Sequence, residues 1–337
     1  MTAETISPRS ALLTLINGYQ MSQALHVAAA LGIPNLLADG PRSADELARE
    51  TGVHAPSLYR LLRALAGIGV FQEDGGRFNQ TPLSEQLRTD ISGSIGHWAV
   101  NVGQSHHWES WGHLLDSVRS GESAFQQIYG TSVWDYRATR PTEQAIFNTA
   151  MTALSAGVVG AVVRAFDFSR VRVLVDVGGG EGSLLAAILD ANPGLRGVLF
   201  DQPAVAEQAR ALLQRAGVAE RCKVVPGSFF ESLPAGADAY LLKSILHDWD
   251  DAQAVSILQR CRDAIARDGK LLVVERVIRP GNEPDPVKFS DLNMLVMLGG
   301  RERSADEFGG LYSQAGFRLT RVVPTETEFA IVEGVPV

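Results

Sequence analysis

From Val171 onward, short apolar runs alternate with segments of helical periodicity, and that alternation leaves few folds open. Val171–Val177 is a continuous apolar run, suited to a strand buried on both faces. Helix is expected over Ser183–Asp190, strand over Gly197–Phe200, helix over Val205–Ala216 and strand over Cys222–Val225. Two more strands, Ala239–Ser244 and Lys270–Glu275, enclose a helix over Asp251–Arg267. A last helix, Ala305–Gly316, leads into Phe317–Val323 and Glu328–Glu333, a strand pair joined by the short turn Pro324–Thr327. The pattern predicts an α/β chain with a doubly wound, mostly parallel sheet. The terminal pair adds one antiparallel strand to it.

At 337 residues the chain has room for a second domain. The expected division is 1–105 against 106–337, with the sheet core starting near 165. Residues 10–37 carry a broad apolar stripe at helical spacing that ends at Gly32-Ile33-Pro34. Ser43-Ala-Asp-Glu46 reads as a capping box opening a short helix. Leu58, Leu61, Leu62 and Leu65 then share a helical face, and Val70-Phe71, Asp74-Gly75-Gly76 and Arg77-Phe78 read as a hairpin. This is the outline of a winged helix. DNA binding through it is the reading of another class, but Arg60 and Arg63 sit among Glu46, Glu50, Glu73 and Asp74, a thin positive footprint for phosphates. A dimerisation module is the plainer reading.

Composition removes further classes. A net charge of −8 disfavours a polyanionic partner. Cys222 and Cys261 cannot make a disulfide framework, and the first residues do not read as a signal peptide, so a cytoplasmic protein is expected. The apolar stretch 153–163 is short for a membrane span. Residues 95–140 hold Trp98, Trp108, Trp111 and Trp134 with His97, His106, His107 and His113. No cysteine or carboxylate falls there at a recognisable ligand spacing, so no metal is expected, and the rings are read as a packed layer or the wall of a pocket for a flat ligand.

Ligands of doubly wound sheets bind at the carboxyl ends of the strands. Four features fall there. Val175-Asp-Val-Gly-Gly-Gly-Glu-Gly182 runs from strand through a glycine loop into helix, with Gly178 and Gly180 allowing close backbone approach. Its spacing differs from the dinucleotide fingerprint, which disfavours a nicotinamide dehydrogenase. Asp201 ends the next strand, where a carboxylate can accept both hydroxyls of a ribose. His247 follows the strand Ala239–Ser244 and has the chemistry of a general base. Glu275 and Glu302 are carboxylates able to hold the tautomer of a catalytic histidine, although Glu302 could instead pair with Arg301 or Arg303 on the surface.

Together the glycine loop, Leu246-His-Asp-Trp-Asp-Asp251 and Gly299-Gly-Arg-Glu-Arg-Ser304 resemble the S-adenosylmethionine-dependent O-methyltransferases of the caffeate and hydroxyindole type, including bacterial enzymes that decorate aromatic natural products. The N-terminal module resembles that family's dimerisation domain. The resemblance implies a class I methyltransferase fold, a homodimer, and an aromatic small-molecule acceptor. It implies His247 as general base, bracketed by Glu275 and Glu302. It places the cofactor against Gly178, Gly180, Asp201, Ser155 and Lys243. Gly227-Ser228-Phe229 stands where many members have Gly-Asp and a hydrophobic residue, so Ser228 replaces the acid expected at the adenine amine. Phe147 and Met151 match residues that sandwich the acceptor, Asn293 and Met297 fall in a helix lining the same pocket, and Trp134 joins them as an aromatic wall. C- or N-methylation, or a member doing other chemistry, would keep the same glycine loop and Asp201.

Overall fold

The computed structural model describes residues 7–91 and 93–337. They form two compact units, Met1–Glu109 with Trp134–Ala156 and Ser110–Val133 with Gly157–Val337. The chain thus passes between units at three points, where the sequence suggested a single boundary near 105. The cause is local: the helices Ser105–Gly112 and Pro141–Ala165 each contribute residues to both units.

In the first unit the expected helix over 10–37 is three. Pro8–Ile16 is capped by Ser7, Gly18–Ala30 follows a break at Asn17, and Ile33–Leu36 follows Gly32 at φ +65°. The capping box is present, with Ser43 Oγ accepting from Glu46 N and Glu46 accepting from Ser43 N. The helix Ala55–Ala66 packs Leu58, Leu62 and Leu65 on Leu47, Phe71 and Phe78. Strands β1 (Arg42–Ser43), β2 (Phe71–Asp74) and β3 (Arg77–Gln80) make a three-stranded antiparallel wing in the order β1-β3-β2. The helix Pro8–Ile16 buries nothing, and Leu12, Leu15, Ile16 and Tyr19 are each more than half exposed.

The second unit is built on a sheet of β4 (Val173–Val177), β5 (Arg196–Asp201), β6 (Cys222–Pro226), β7 (Ala239–Lys243), β8 (Lys270–Ile278), β10 (Phe317–Pro324) and β11 (Phe329–Pro336), with a two-residue β9 (Arg303–Ser304) beside β8. The order is β10-β11-β8-β7-β4-β5-β6, and β11 is antiparallel to both of its neighbours. Apolar side chains cover both faces. One core gathers Leu184, Leu185, Ile188, Leu189 and Leu213, the other Ile257, Leu258, Phe308, Leu311 and Tyr312. Strand order reverses between β4 and β7, so their carboxyl ends flank the switch-point crevice where such sheets bind ligands.

The helix Pro141–Ala165 corrects the expectation that no segment reaches spanning length. It has 25 residues and is long and apolar enough to cross a membrane by length and composition alone. The apolar run is longer than it looks in sequence because Gln144, Asn148, Thr149, Thr152 and Ser155 interrupt it without breaking the helix.

Candidate active site

The glycine loop leaves β4 in a tight turn. Gly178 has φ +68°, and a Cβ there would stand 2.4 Å from Ile245 Cδ1, so the backbone runs against the loop that follows β7. Its N–H donates to Phe200 O at 2.8 Å. Asp201 takes the Gly180 N–H on Oδ2 at 2.8 Å and the Gln202 N–H on Oδ1 at 2.7 Å. Each oxygen keeps a lone pair for a further donor. Burial raises the Asp201 pKa against those two bonds. Behind the loop, Asp176 is fully enclosed and burial pushes its pKa up to about 7. Burial pulls Lys243 down, opposed by the carboxylates of Asp176 and Glu275.

Aromatic rings close one side. Phe229 lies 3.8 Å from where a Gly178 Cβ would stand, and Phe229 and Phe230 meet Trp249 edge-on at 6.1 and 4.8 Å. Phe230 carried no signal in the sequence beyond being aromatic, and Trp249, inside the 246–251 motif, was given no role there. Ser228 Oγ accepts from Phe230 N at 3.3 Å, and Gly227 abuts the Phe200 ring.

His247 sits on a short helical turn after β7, reached through Ser244 at φ +55°, the one non-glycine residue with positive φ among those described. Such a conformation is costly and clusters at functional turns. Nδ1 of His247 lies 3.3 Å from Glu275 Oε2 and 3.4 Å from Glu302 Oε1, while Nε2 lies 3.3 Å from Asp248 Oδ1. Glu275 is itself held by N–H groups of Ile245 and Leu246, both 3.0 Å from Oε1, and of His247 at 3.4 Å. Glu302 takes the Ser290 hydroxyl at 2.7 Å. Burial alone would push His247 down, but Glu275, Asp248 and Glu302 together outweigh it and raise the imidazole to about 10. The surrounding carboxylates thus favour the imidazolium over the neutral ring.

The turn 299–303 locks this arrangement. A Cβ on Gly300 would fall 2.1 Å from the His247 carbonyl oxygen, so only glycine fits, and Arg301 N donates to that same oxygen at 2.9 Å. Arg303 is not a surface partner of Glu302. It is 1% exposed and its guanidinium donates to the Leu246 and Trp249 carbonyls, both at 2.9 Å, and to Asp251. Arg301 pairs with Asp251 and Glu307 instead.

His247, Glu275 and Glu302 are also the one group of potential ligands among the described residues with atoms gathered within 4.8 Å. The histidines of 97–113 form no such group among those residues. His106 is buried with a pKa brought down to about 4, by burial and then by Arg137 and Arg140. Asn293 and Met297 lie on the helix Val287–Met297, which also supplies Ser290. Trp134, Phe147, Met151 and Ser155 belong to the first unit, outside the cluster that the second unit builds. There Phe147 meets Trp134 edge-on at 5.9 Å and carries the Arg137 guanidinium 3.8 Å above its ring.

Known proteins share this architecture. Residues 111–318 match the O-methyltransferase domain and residues 13–90 the O-methyltransferase dimerisation domain. A phenazine O-methyltransferase of Lysobacter antibioticus is 46% identical, covering 97% of this chain and 96% of its own. A mitomycin biosynthesis 6-O-methyltransferase of Streptomyces lavendulae is 44% identical over 96% and 93%. The crystal structure of an O-methyltransferase from neocarzinostatin biosynthesis, in complex with S-adenosylmethionine and 2-hydroxy-5-methyl naphthoic acid, superposes with a TM-score of 0.83 at 38% identity, covering 94% and 96%. Some matched relatives are named as N-methyltransferases. The chain belongs to the S-adenosylmethionine-dependent O-methyltransferase family, with that family's dimerisation domain at its N-terminus.

Proposed function

We propose that this enzyme methylates a phenolic hydroxyl of an aromatic small molecule, with Nε2 of His247 as the proton acceptor. The observation that carries the reading is the His247 ring, anchored at Nδ1 by two buried carboxylates beside the switch-point crevice. When bound, S-adenosylmethionine supplies an electrophilic methyl group on a sulfonium. Asp201 would take the ribose hydroxyls on its remaining lone pairs, and the backbone at Gly178 and Gly180 would lie along the methionine moiety. Gly227, Ser228 and Phe229 would meet the adenine, with Ser228 a weaker acceptor than an acid because it is uncharged. Lys243 and Ser155 keep their cofactor roles, and Trp134, Phe147, Met151, Asn293 and Met297 their acceptor roles, from the resemblance.

A phenol has a pKa near 10, so about a thousandth is phenolate at pH 7. The His247 imidazolium, at about 10, is matched to it, and a proton shared between the two is poised evenly. One proton must first leave the pair. With a phenol of pKa near 10, kcat/KM is thus expected to rise about tenfold per pH unit from pH 7 and level off only near 10. Removing one carboxylate charge stabilises the imidazolium less, so Glu302→Gln moves the rising limb to lower pH. Rate profiles of both enzymes from pH 6 to 10 check this, and a wild-type plateau beginning at pH 7 contradicts it.

The cofactor site is tested by calorimetric titration with S-adenosylhomocysteine. Wild type is expected to bind in the micromolar range and Asp201→Ala at least tenfold more weakly. Absence of binding to wild type sinks the proposal. Relatives named for N-methylation support a second reading, in which an aromatic amine is the acceptor. A neutral amine attacks through its lone pair without first losing a proton, so the anchored His247 favours oxygen.

The exposed face of Leu12, Leu15, Ile16 and Tyr19 fits a homodimer through the first unit, since each such side chain contributes about 1.5–3 kcal/mol when buried. Leu15→Asp with Ile16→Asp is expected to yield monomer in sedimentation velocity at concentrations where wild type is dimeric. A double variant that stays dimeric removes that helix from the interface.

A further inference from the structure

The helix Val287–Met297 sets Ser290, Asn293 and Met297 on one face at helical spacing. Ser290 reaches Glu302, which lies 3.4 Å from His247 Nδ1. Three residues further, about 4.5 Å along the axis, the Oδ1 atom of Asn293 accepts from Trp111 Nε1 at 3.0 Å. An indole N–H only donates, so it selects the amide oxygen and turns the amide nitrogen the other way. That nitrogen, with two donors, has no hydrogen-bond partner among the described residues. Trp111 precedes a segment that is itself tied to this helix, through Ser123 Oγ donating to the Val296 carbonyl at 3.0 Å.

Given the proposed phenol methylation at His247, we infer that Trp111 is a positioning residue that makes Asn293 a hydrogen-bond donor to the acceptor, and that the acceptor carries a carbonyl or carboxyl oxygen beside the hydroxyl to be methylated. The chemistry gives this donor a purpose. An oxygen next to a phenol holds the phenolic hydrogen in an internal hydrogen bond, where it resists transfer to a base. A donor on that oxygen competes with the internal bond and releases the hydrogen to His247. An aspartate at 293 could still accept from Trp111 but would offer no donor.

Methyl 1-hydroxy-2-naphthoate and 1-naphthol differ in that neighbouring oxygen and carry the same charge. Wild type is expected to prefer the ester by tenfold or more in kcat/KM. In Trp111→Phe and Asn293→Asp the ester-to-naphthol ratio is expected to fall at least fivefold, through weaker binding of the ester. A purely structural role would depress both acceptors in parallel and leave the ratio alone; that result, or a wild type preferring 1-naphthol, overturns the inference. Should neither acceptor turn over, their Kd values in the presence of S-adenosylhomocysteine carry the same expected ratios, and equal wild-type values overturn it. Unchanged ratios with S-adenosylhomocysteine bound defeat this inference alone, whereas failure to bind S-adenosylhomocysteine defeats the reading of the site and this inference with it.

Discussion

His247→Ala is expected to lower kcat by about 10²–10⁴ at pH 7, the range for loss of a positioned general base, while binding of S-adenosylhomocysteine changes less than threefold. The two halves of that result come from different elements. The proton acceptor stands after β7, whereas the glycine loop and Asp201, proposed for the methionine moiety and the ribose, stand after β4 and at the end of β5 and take no bond from the imidazole: Gly178 is tied to Phe200 and Gly180 to Asp201. The residual rate should depend on pH in a way a misfolded variant would not reproduce. Without the imidazole, phenolate must come from solvent, so the variant's rate should climb as pH approaches the acceptor's pKa near 10, in parallel with the wild-type limb, and the wild-type-to-variant ratio should hold between pH 7 and 10. A variant rate that does not climb between pH 7 and 10 would show that loss of the phenolic proton does not limit it. A drop under fivefold at pH 7 would remove it from the chemistry altogether.

The sheet was legible because its signals are local. Continuous apolar runs such as Val171–Val177 and the glycine loop specify strands and their turn from neighbouring residues alone, and observed ends differ from expected ones by a few residues. The first helix was not, because an apolar stripe continues across Asn17 while the backbone breaks there. The site shows the same split. Motif spacing brings His247, Glu275 and Glu302 to notice, but the three lie far apart in sequence and only the pairing of β7 and β9 with β8 makes them neighbours. The charge state of His247 is less accessible still. It depends on the balance between burial and three carboxylates, one of them the adjacent Asp248, which the sequence offers as an ordinary acid in a turn. Trp111 pairs with a residue 182 positions away, a contact no periodicity announces.

Arg303 is where local reading misleads most, and its replacement is expected to cost the most stability. Next to Arg301 and Glu302 it looks like one more charge on a surface turn. Yet β9 pairs with β8 and carries the side chain inward, to 1% exposure, beneath the loop that bears His247. Its guanidinium satisfies the carbonyls of Leu246 and Trp249 and makes two contacts to one oxygen of Asp251, at 3.0 and 2.8 Å. Methionine has a similar length and no donors, so Arg303→Met would leave the Trp249 carbonyl unpaired and the Leu246 carbonyl with only the Trp249 N–H at 3.2 Å. An orphaned acceptor costs about 1–3 kcal/mol, and breaking a buried ion pair about 3–5. Asp251 is half exposed and can rehydrate, which favours the lower end. A loss of about 3 kcal/mol in urea unfolding is therefore expected, with kcat falling alongside because the 246–249 turn loses its anchor. Arg303→Lys should recover part of the stability through one or two of those bonds but little of the kcat, since an ammonium cannot span the two carbonyls and the carboxylate as the planar fork does. A Met variant within 1 kcal/mol of wild type would mean that the turn is held by Gly300 and the Arg301 N–H alone.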